Sequence, residues 1–268
     1  MEDYRKEIFD QLSAYANSLG EPINLNDEDA ASYWRNSIEN KALDFDTFYS
    51  VFDYRIPGFT YLRGIKSALG LKEGFSINTY FNLIHPDFLQ LYTLWGIEAL
   101  EMAIRNKEQL EPFKFTYRIS IPLLHENKDY YHCFQNSTIL QLDAQNQLVS
   151  QINTFRMGIR FSESDIRNLK GEIFSKDHPA SEWNQRFMDN MSKRILKYFT
   201  TTEQKILKAY IEDPESKEKI AEKFQVTLPT LYTHNRNILK KASRIFHKGF
   251  GSILDFAHYL NDRGYLPN

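Results

Sequence analysis

Between Phe199 and Lys241 apolar residues recur at helical spacing in three successive runs, and this stretch constrains the fold more than any other. It predicts three short helices, the second and third forming a helix-turn-helix. Thr200, Thr201 or Thr202 can cap the first, and Glu203 stands three residues after Thr200, the capping-box interval. Ile206, Leu207, Tyr210 and Ile211 make its apolar stripe. Ile220, Ala221 and Phe224 predict the buried face of a second, very short helix. Gln225-Val226-Thr227 follows as the turn, with Val226 plugging the core and Thr227 capping the third helix.

The third helix carries the chemistry. At 100° per residue Leu231, Ile238 and Ala242 fall on one side and pack inward, while Pro229, Tyr232, Thr233, Arg236 and Lys240 project together on the other. Hydroxyl, guanidinium and ammonium groups in one stripe suit a major groove: Arg for guanine edges, Thr for thymine methyls or phosphates, Lys for phosphates. From Lys223 to Leu254 there is no Asp or Glu, but there are six Lys and Arg. Such a run alone reads equally well as a solvated helix face. Coinciding with the helix-turn-helix periodicity, it favours a phosphate-binding surface.

These residues resemble the LuxR-type (GerE-like) DNA-binding domains, whose pattern runs T-x-x-E-x-x-I/V-L, S-x-x-x-I-A-E, then T-V-x-T-H-x-x-N-I-L-x-K. Thr200, Glu203, Ile206 and Leu207 match the first block, and Ser216, Ile220, Ala221 and Glu222 the second. Thr230, Leu231, Thr233, His234, Asn237, Ile238, Leu239 and Lys241 match the third. The resemblance covers roughly the last quarter of the chain. It implies an all-α four-helix domain over residues 199–268 that binds double-stranded DNA as a homodimer. The candidate contact set is then Thr230, Tyr232, Thr233, Arg236, Asn237, Lys240 and Lys241. The family's fourth helix pairs two domains, and the matching segment here is Ser252 to Arg263, with Ile253, Leu254, Ala257 and Leu260 as its apolar stripe and Phe256 and Tyr259 bordering it. Three departures stand out: Gln225 where the family has a turn glycine, Tyr232 where it has Lys, and a longer, glycine-containing connection from Ile245 to Ser252. A left-handed backbone at Gln225 would be strained.

The formal net charge of -2 hides an asymmetry. Residues 199–268 hold 11 Lys and Arg against 8 Asp and Glu, a balance of +3, whereas residues 1–198 hold 22 against 27, a balance of -5. Only the C-terminal part is dressed for a polyanion. The single cysteine, Cys133, forbids an internal disulfide and a cysteine-based zinc site, as expected in a reducing cytosol. The N-terminus lacks the basic start and apolar stretch of a signal peptide, and the best apolar stretch, Leu91 to Ile104, contains Glu98 and Glu101 and is too short to span a bilayer. A soluble cytoplasmic protein with no membrane partner is expected.

Residues 4–19 predict an amphipathic helix ended by Gly20-Glu21-Pro22, and Asn26-Asp27 can cap a second running to about Leu43. This N-terminal segment, residues 1–44, either packs on the next domain or forms a dimer seam. Residues 45–160 change character. Phe48–Asp53 and Phe59–Arg63 read as strands around a Pro57-Gly58 turn, followed by short helices through Ala68 and Tyr80 and a long one from Pro86 to about Asn106. Phe113–Ile121 alternates, with Phe113, Phe115, Tyr117 and Ile119 on one face. Tyr130–Leu142 and Leu148–Met157 form a hairpin across D-A-Q-N-Q. Two strands, several helices and three antiparallel strands make an α+β order that resembles PAS sensory domains, as does the helix-entry string L-I-H-P-D-F at 83–88. Met157 to Pro179 reads as a polar connector and Ser181 to Phe199 as helix, so residues 161–198 form a helical linker.

Candidate chemistry is sparse. His85-Pro86-Asp87 is explained as a helix entry, with Pro86 in the first turn and Asp87 at the positive end of the dipole. His132 and Cys133, adjacent in a strand, face opposite ways and cannot share a metal or form a nucleophilic pair. His234 reads as a packing and phosphate-contact residue, and Glu98 and Glu101 as a solvated face. The flavin-binding sensors of the PAS group need a cysteine in a short helix, and haem needs an axial histidine, so neither cofactor is expected. No Gly-rich phosphate loop or serine elbow appears, and no enzyme is expected. Aromatic residues at strand alternation make plain core or wall a small molecule; Phe115, Tyr117 and Phe134 are the candidate wall. The leading expectation is a transcription regulator with a PAS-like sensory domain and a LuxR-type helix-turn-helix. The alternative is a non-catalytic adaptor with little DNA affinity.

Overall fold

The computed structural model describes residues 2–21, 38–40, 42–71, 74–162, 171–175, 180–213, 217–246 and 248–266. They belong to two compact units, residues 1–184 and 185–268.

The first unit is built on an antiparallel sheet. Its strands are β1 (Thr47–Asp53), β2 (Gly58–Arg63), β3 (Phe115–Leu124), β4 (Tyr130–Leu142), β5 (Leu148–Arg160) and β6 (Gly171–Ser175), in the spatial order β2-β1-β5-β4-β3-β6. The described helices of this unit are α1 (Glu2–Ala16), α2 (Ile65–Leu69), α3 (Ile77–Leu83) and α4 (Pro86–Arg105). Strand alternation sends Phe48 and Phe155 to one face, where they sit opposite each other and stack at 4.3 Å and 5°. Tyr80 of α3 meets Phe155 edge-on at 5.6 Å. Helix α4 starts as its sequence requires: the His85 imidazole Nδ1 accepts from Asp87 N at 3.3 Å and Pro86 occupies the first turn.

Helix α1 buries Ile8, Leu12 and Tyr15, and the Tyr15 hydroxyl donates to Leu148 O at 3.0 Å. Gly20 N donates to Asp143 Oδ2 in the β4–β5 turn at 2.9 Å, so the stretch from α1 to Gly20 packs on the sheet. The helix expected from Asn26 to Leu43 lies largely outside the described residues.

Three expectations need correction. The segment read as a connector contains β6, which pairs with β3 from Phe115↔Ser175 to Ile119↔Gly171. One inward apolar residue, Ile173, in five gives no alternation to detect. Phe113 is not in β3: its φ of 62° is left-handed and ends the regular ladder. Glu98 is buried rather than solvated, its carboxylate held by Arg105 Nη2 at 2.5 Å one face along α4.

Helix α5 (Ala180–Leu196) begins in the first unit and continues into the second, which adds α6 (Thr201–Glu212), α7 (Lys217–Lys223), α8 (Leu228–Phe246) and α9 (Ile253–Asn261). The capping box forms as spaced: Glu203 N donates to Thr200 Oγ1 at 3.3 Å and Thr200 N to Glu203 Oε2 at 2.7 Å. Leu231, Ile238 and Ala242 are fully buried, with Ile206, Leu207 and Tyr210 of α6 and Ile220 and Ala221 of α7. Phe199, Phe246, Phe256 and Tyr259 complete the core. Of the expected pairing stripe, Ile253, Ala257 and Leu260 are buried inside the unit together with Phe256 and Tyr259, and only Leu254 is half-exposed. The aromatic pair lies in the core rather than at its border.

Helix α7 ends in a left-handed cap. Gln225 N donates to Glu222 O at 2.9 Å and Val226 N to Ala221 O at 3.0 Å, with Gln225 at φ 53°. Helix α9 ends the same way, but there the left-handed residue is Gly264 at φ 68°. A side chain in this conformation costs about 1 kcal/mol relative to glycine. Gln225→Gly is therefore expected to stabilise the second unit by about that amount, read as a higher urea midpoint. An unchanged or lower midpoint would mean that the Gln225 backbone is not strained.

Candidate nucleic-acid interface and ligand cavity

Helix α8 begins where Thr227 Oγ1 accepts from Thr230 N at 3.4 Å, and its two faces divide cleanly. Thr230, Tyr232, Thr233, Arg236, Asn237 and Lys240 are all exposed along one side, together with Pro229 and Arg244. Arg236 and Lys240 form no ion pair with any described residue, so both cations are available to a polyanion. Tyr232 is half-exposed and Lys217 lies over its ring at 5.6 Å, which puts a further ammonium beside the stripe. Thr233 Oγ1 is turned onto Pro229 O at 3.0 Å, leaving its methyl as the outward group. Asn235, on the opposite side, is buried and donates from Nδ2 to Tyr210 Oη at 2.5 Å, fixing α8 to α6.

Lys241 stands apart from the other candidates. Its ammonium reaches Glu203 Oε2 at 2.6 Å, so it closes the capping box instead of joining the outward stripe. Helical phase explains this: Lys241 sits one residue past Lys240 and turns toward α6. Burial pushes the Glu203 carboxyl up, but Lys241 and the Thr200 amide outweigh burial and hold it below its ordinary value. A lowered carboxyl contributes stability that is present above the unfolded-state pKa of about 4.3 and is lost as pH falls through the folded value. With Lys241 itself 36% exposed, solvent screening limits the pair. Lys241→Met is expected to cost about 1–2 kcal/mol at neutral pH and progressively less below about pH 4. A cost that stays constant across that range in urea titrations would remove Glu203 as its source.

The first unit holds a partly open cavity of about 160 Å³ between the sheet, α1, α3, α4 and the start of α5. Phe115 and Tyr117 line it, as strand alternation leads one to expect. Phe134 does not: it is 44% exposed, and register is the reason. Gln135, Ser137 and Ile139 of β4 face the cavity, so Phe134 points to the other side of the sheet, where it lies over Gly158.

The polar part of the wall escaped the sequence reading. Tyr80 Oη donates to Gln135 Oε1 at 2.7 Å, and Tyr54 Oη donates to Gln151 Oε1 at 3.0 Å. Gln135 Nε2 donates to Ser137 Oγ at 2.9 Å, Gln151 Nε2 to Asn153 Oδ1 at 3.1 Å, and Asn153 Nδ2 to Ser50 Oγ at 3.1 Å. The available signal was phase: Gln135, Gln151 and Asn153 are polar residues at inward positions of predicted strands. Burial pushes Tyr92, which also lines the cavity, up to about 12 and Tyr54 and Tyr80 further, so all three remain neutral phenols. Trp183 of α5 also lines it, edge-on to Phe115 at 4.9 Å.

Cys133 is fully buried, and burial raises its thiol well above the ordinary range, away from reactivity. His132 is buried in the same strand. Among the described residues, no three His, Cys, Asp or Glu side chains are grouped to hold a metal, and no helix is long and apolar enough to cross a membrane.

No protein-family model matches this chain, and no curated protein matches it. Solved structures that align with it include a phage VqmA–DPO complex, at 11% identity and a TM-score of 0.29, over 90% of this chain and 94% of that one. Another is the Vibrio cholerae VqmA dimer in the absence of target DNA, described in connection with LuxR-type receptors, at 12% identity and a TM-score of 0.31, over 86% and 87% of the two chains. Likeness at this level is too loose to decide fold or function.

Proposed function

We propose that this chain is a cytoplasmic transcriptional regulator in which a PAS-like unit senses a small molecule and controls a LuxR-type helix-turn-helix. The observation that carries the DNA-binding part is the outward side of α8, where Tyr232, Thr233, Arg236, Asn237 and Lys240 are exposed together and neither cation forms an ion pair with a described residue. Arg236 reads base edges, Lys240 and Lys217 neutralise phosphates, and the Thr233 methyl and the Tyr232 ring supply apolar contact. The sensing part rests on the cavity and on Trp183, which belongs both to its wall and to the first turns of α5. Because α5 runs on to Leu196, a ligand touching Trp183 changes DNA affinity if it binds two states of α5 unequally.

The regulator acts as a homodimer on half-sites about one helical turn apart. The experiment is capture of sheared genomic DNA from the source organism by the full-length protein, followed by sequencing of the retained fragments. A repeated motif with that spacing is expected. Retention without any shared motif would remove sequence-specific regulation.

A further inference from the structure

The cavity also carries information about the charge and polarity of what it takes, and this inference rests on the sensing reading above. Among the described residues that line it there is no Asp, Glu, Lys, Arg or His. Its polar groups are neutral amides, phenols and hydroxyls. Gln135, Ser137, Gln151 and Asn153 stand on the strands, Tyr80 of α3 and Tyr92 of α4 reach Gln135 from the helices, and Gln11 adds an amide from α1, while Ile97, Leu100 and Phe81 are the apolar helix members. Those polar groups are joined to one another but not exhausted. Gln151 Nε2 and Asn153 Nδ2 each donate one hydrogen bond, to Asn153 Oδ1 and Ser50 Oγ, and each amide nitrogen has a second proton. The oxygens of Tyr54 and Tyr80 donate to Gln151 and Gln135 and keep their lone pairs as acceptors. The wall therefore offers donors and acceptors together and no counter-charge.

A charged group buried against this wall would lose much of its hydration with nothing of opposite sign to replace it, which costs more than a hydrogen bond returns. A purely apolar ligand would sit against amides whose remaining protons it cannot satisfy. The volume of about 160 Å³ is close to the roughly 150 Å³ of an engineered apolar cavity that binds benzene. We propose that the cavity selects an uncharged polar molecule of about one ring in size, hydrogen-bonded on its sheet side by Gln151 and Asn153 and packed against α4 on the other.

The test uses the full-length protein and four probes of one size: benzamide, benzoate, benzylamine and toluene. Thermal unfolding is followed over the same concentration range of each at neutral pH, where benzoate is an anion and benzylamine a cation. Benzamide is expected to raise the unfolding temperature with concentration, toluene less, and the two ions not at all. In Asn153→Leu the advantage of benzamide over toluene should fall about tenfold in affinity. If that variant lacks a cooperative transition, Gln151→Met makes the same comparison. Stabilisation by benzoate or benzylammonium equal to that by benzamide would overturn the neutral class while leaving sensing intact. Equal stabilisation by toluene and benzamide would overturn the role of the amides. No shift from any of the four would make the space part of the core and would end the sensing reading as well.

Discussion

Phe155→Ala should destabilise the first unit by about 3–5 kcal/mol, the largest effect expected of any single substitution in it. Phe155 is fully buried at the centre of β5, stacked on Phe48 at 4.3 Å and met edge-on by Tyr80 at 5.6 Å. Removing the ring forfeits its burial and both aromatic contacts. The space it leaves adjoins the cavity, so the neighbouring side chains have no close partner to collapse onto and the cavity penalty is retained in full. Urea unfolding of the full-length protein measures this. Destabilisation under about 1 kcal/mol would mean that the Phe48–Phe155 stack is not the centre of the unit.

How much of this was legible in the sequence depended on how many residues reported each feature. The α8 faces were readable because burial of Leu231, Ile238 and Ala242 fixes the helical phase, and phase then assigns Tyr232, Thr233, Arg236 and Lys240 to the other side. Lys241 shows the limit of that argument. Motif register assigns it to the contact set, whereas its place is decided by a tertiary partner 38 residues earlier, Glu203. The strand ends of β1, β4 and β5 were close because each is a run of seven residues or more, rich in aromatic and β-branched side chains. Strand β6 has five residues, and its pairing with β3 is a contact between positions 52 to 60 residues apart, which leaves no local trace. Phe134 failed for a related reason: an aromatic residue next to inward Gln135 looks like the wall member when hydrophobicity alone is weighed. The structure places the polar residue inside and the aromatic one outside.

The second large effect concerns DNA. Arg236→Ala is expected to cost about 1–3 kcal/mol on a captured target site and to relax specificity at one or two base pairs, because a guanidinium in the groove reads base edges. Lys240→Ala should weaken all sequences alike, because an ammonium on a phosphate carries no sequence information. Neither side chain has an ion-pair partner among the described residues, so neither substitution should lower stability by more than about 0.5 kcal/mol. That separates loss of contact from loss of fold.

The most direct measurement is the affinity of the full-length protein for one captured fragment, by fluorescence anisotropy across a salt series. Affinity should fall steeply with salt, as phosphate neutralisation releases counterions, and the logarithmic slope should be about 1 shallower for Lys240→Ala. The double variant Arg236→Ala, Lys240→Ala should retain only weak binding without sequence preference. Binding by that double variant with the affinity and salt slope of the parent would contradict the assignment of α8 as the reading helix. No salt-dependent binding by the parent itself would contradict DNA recognition by this chain altogether.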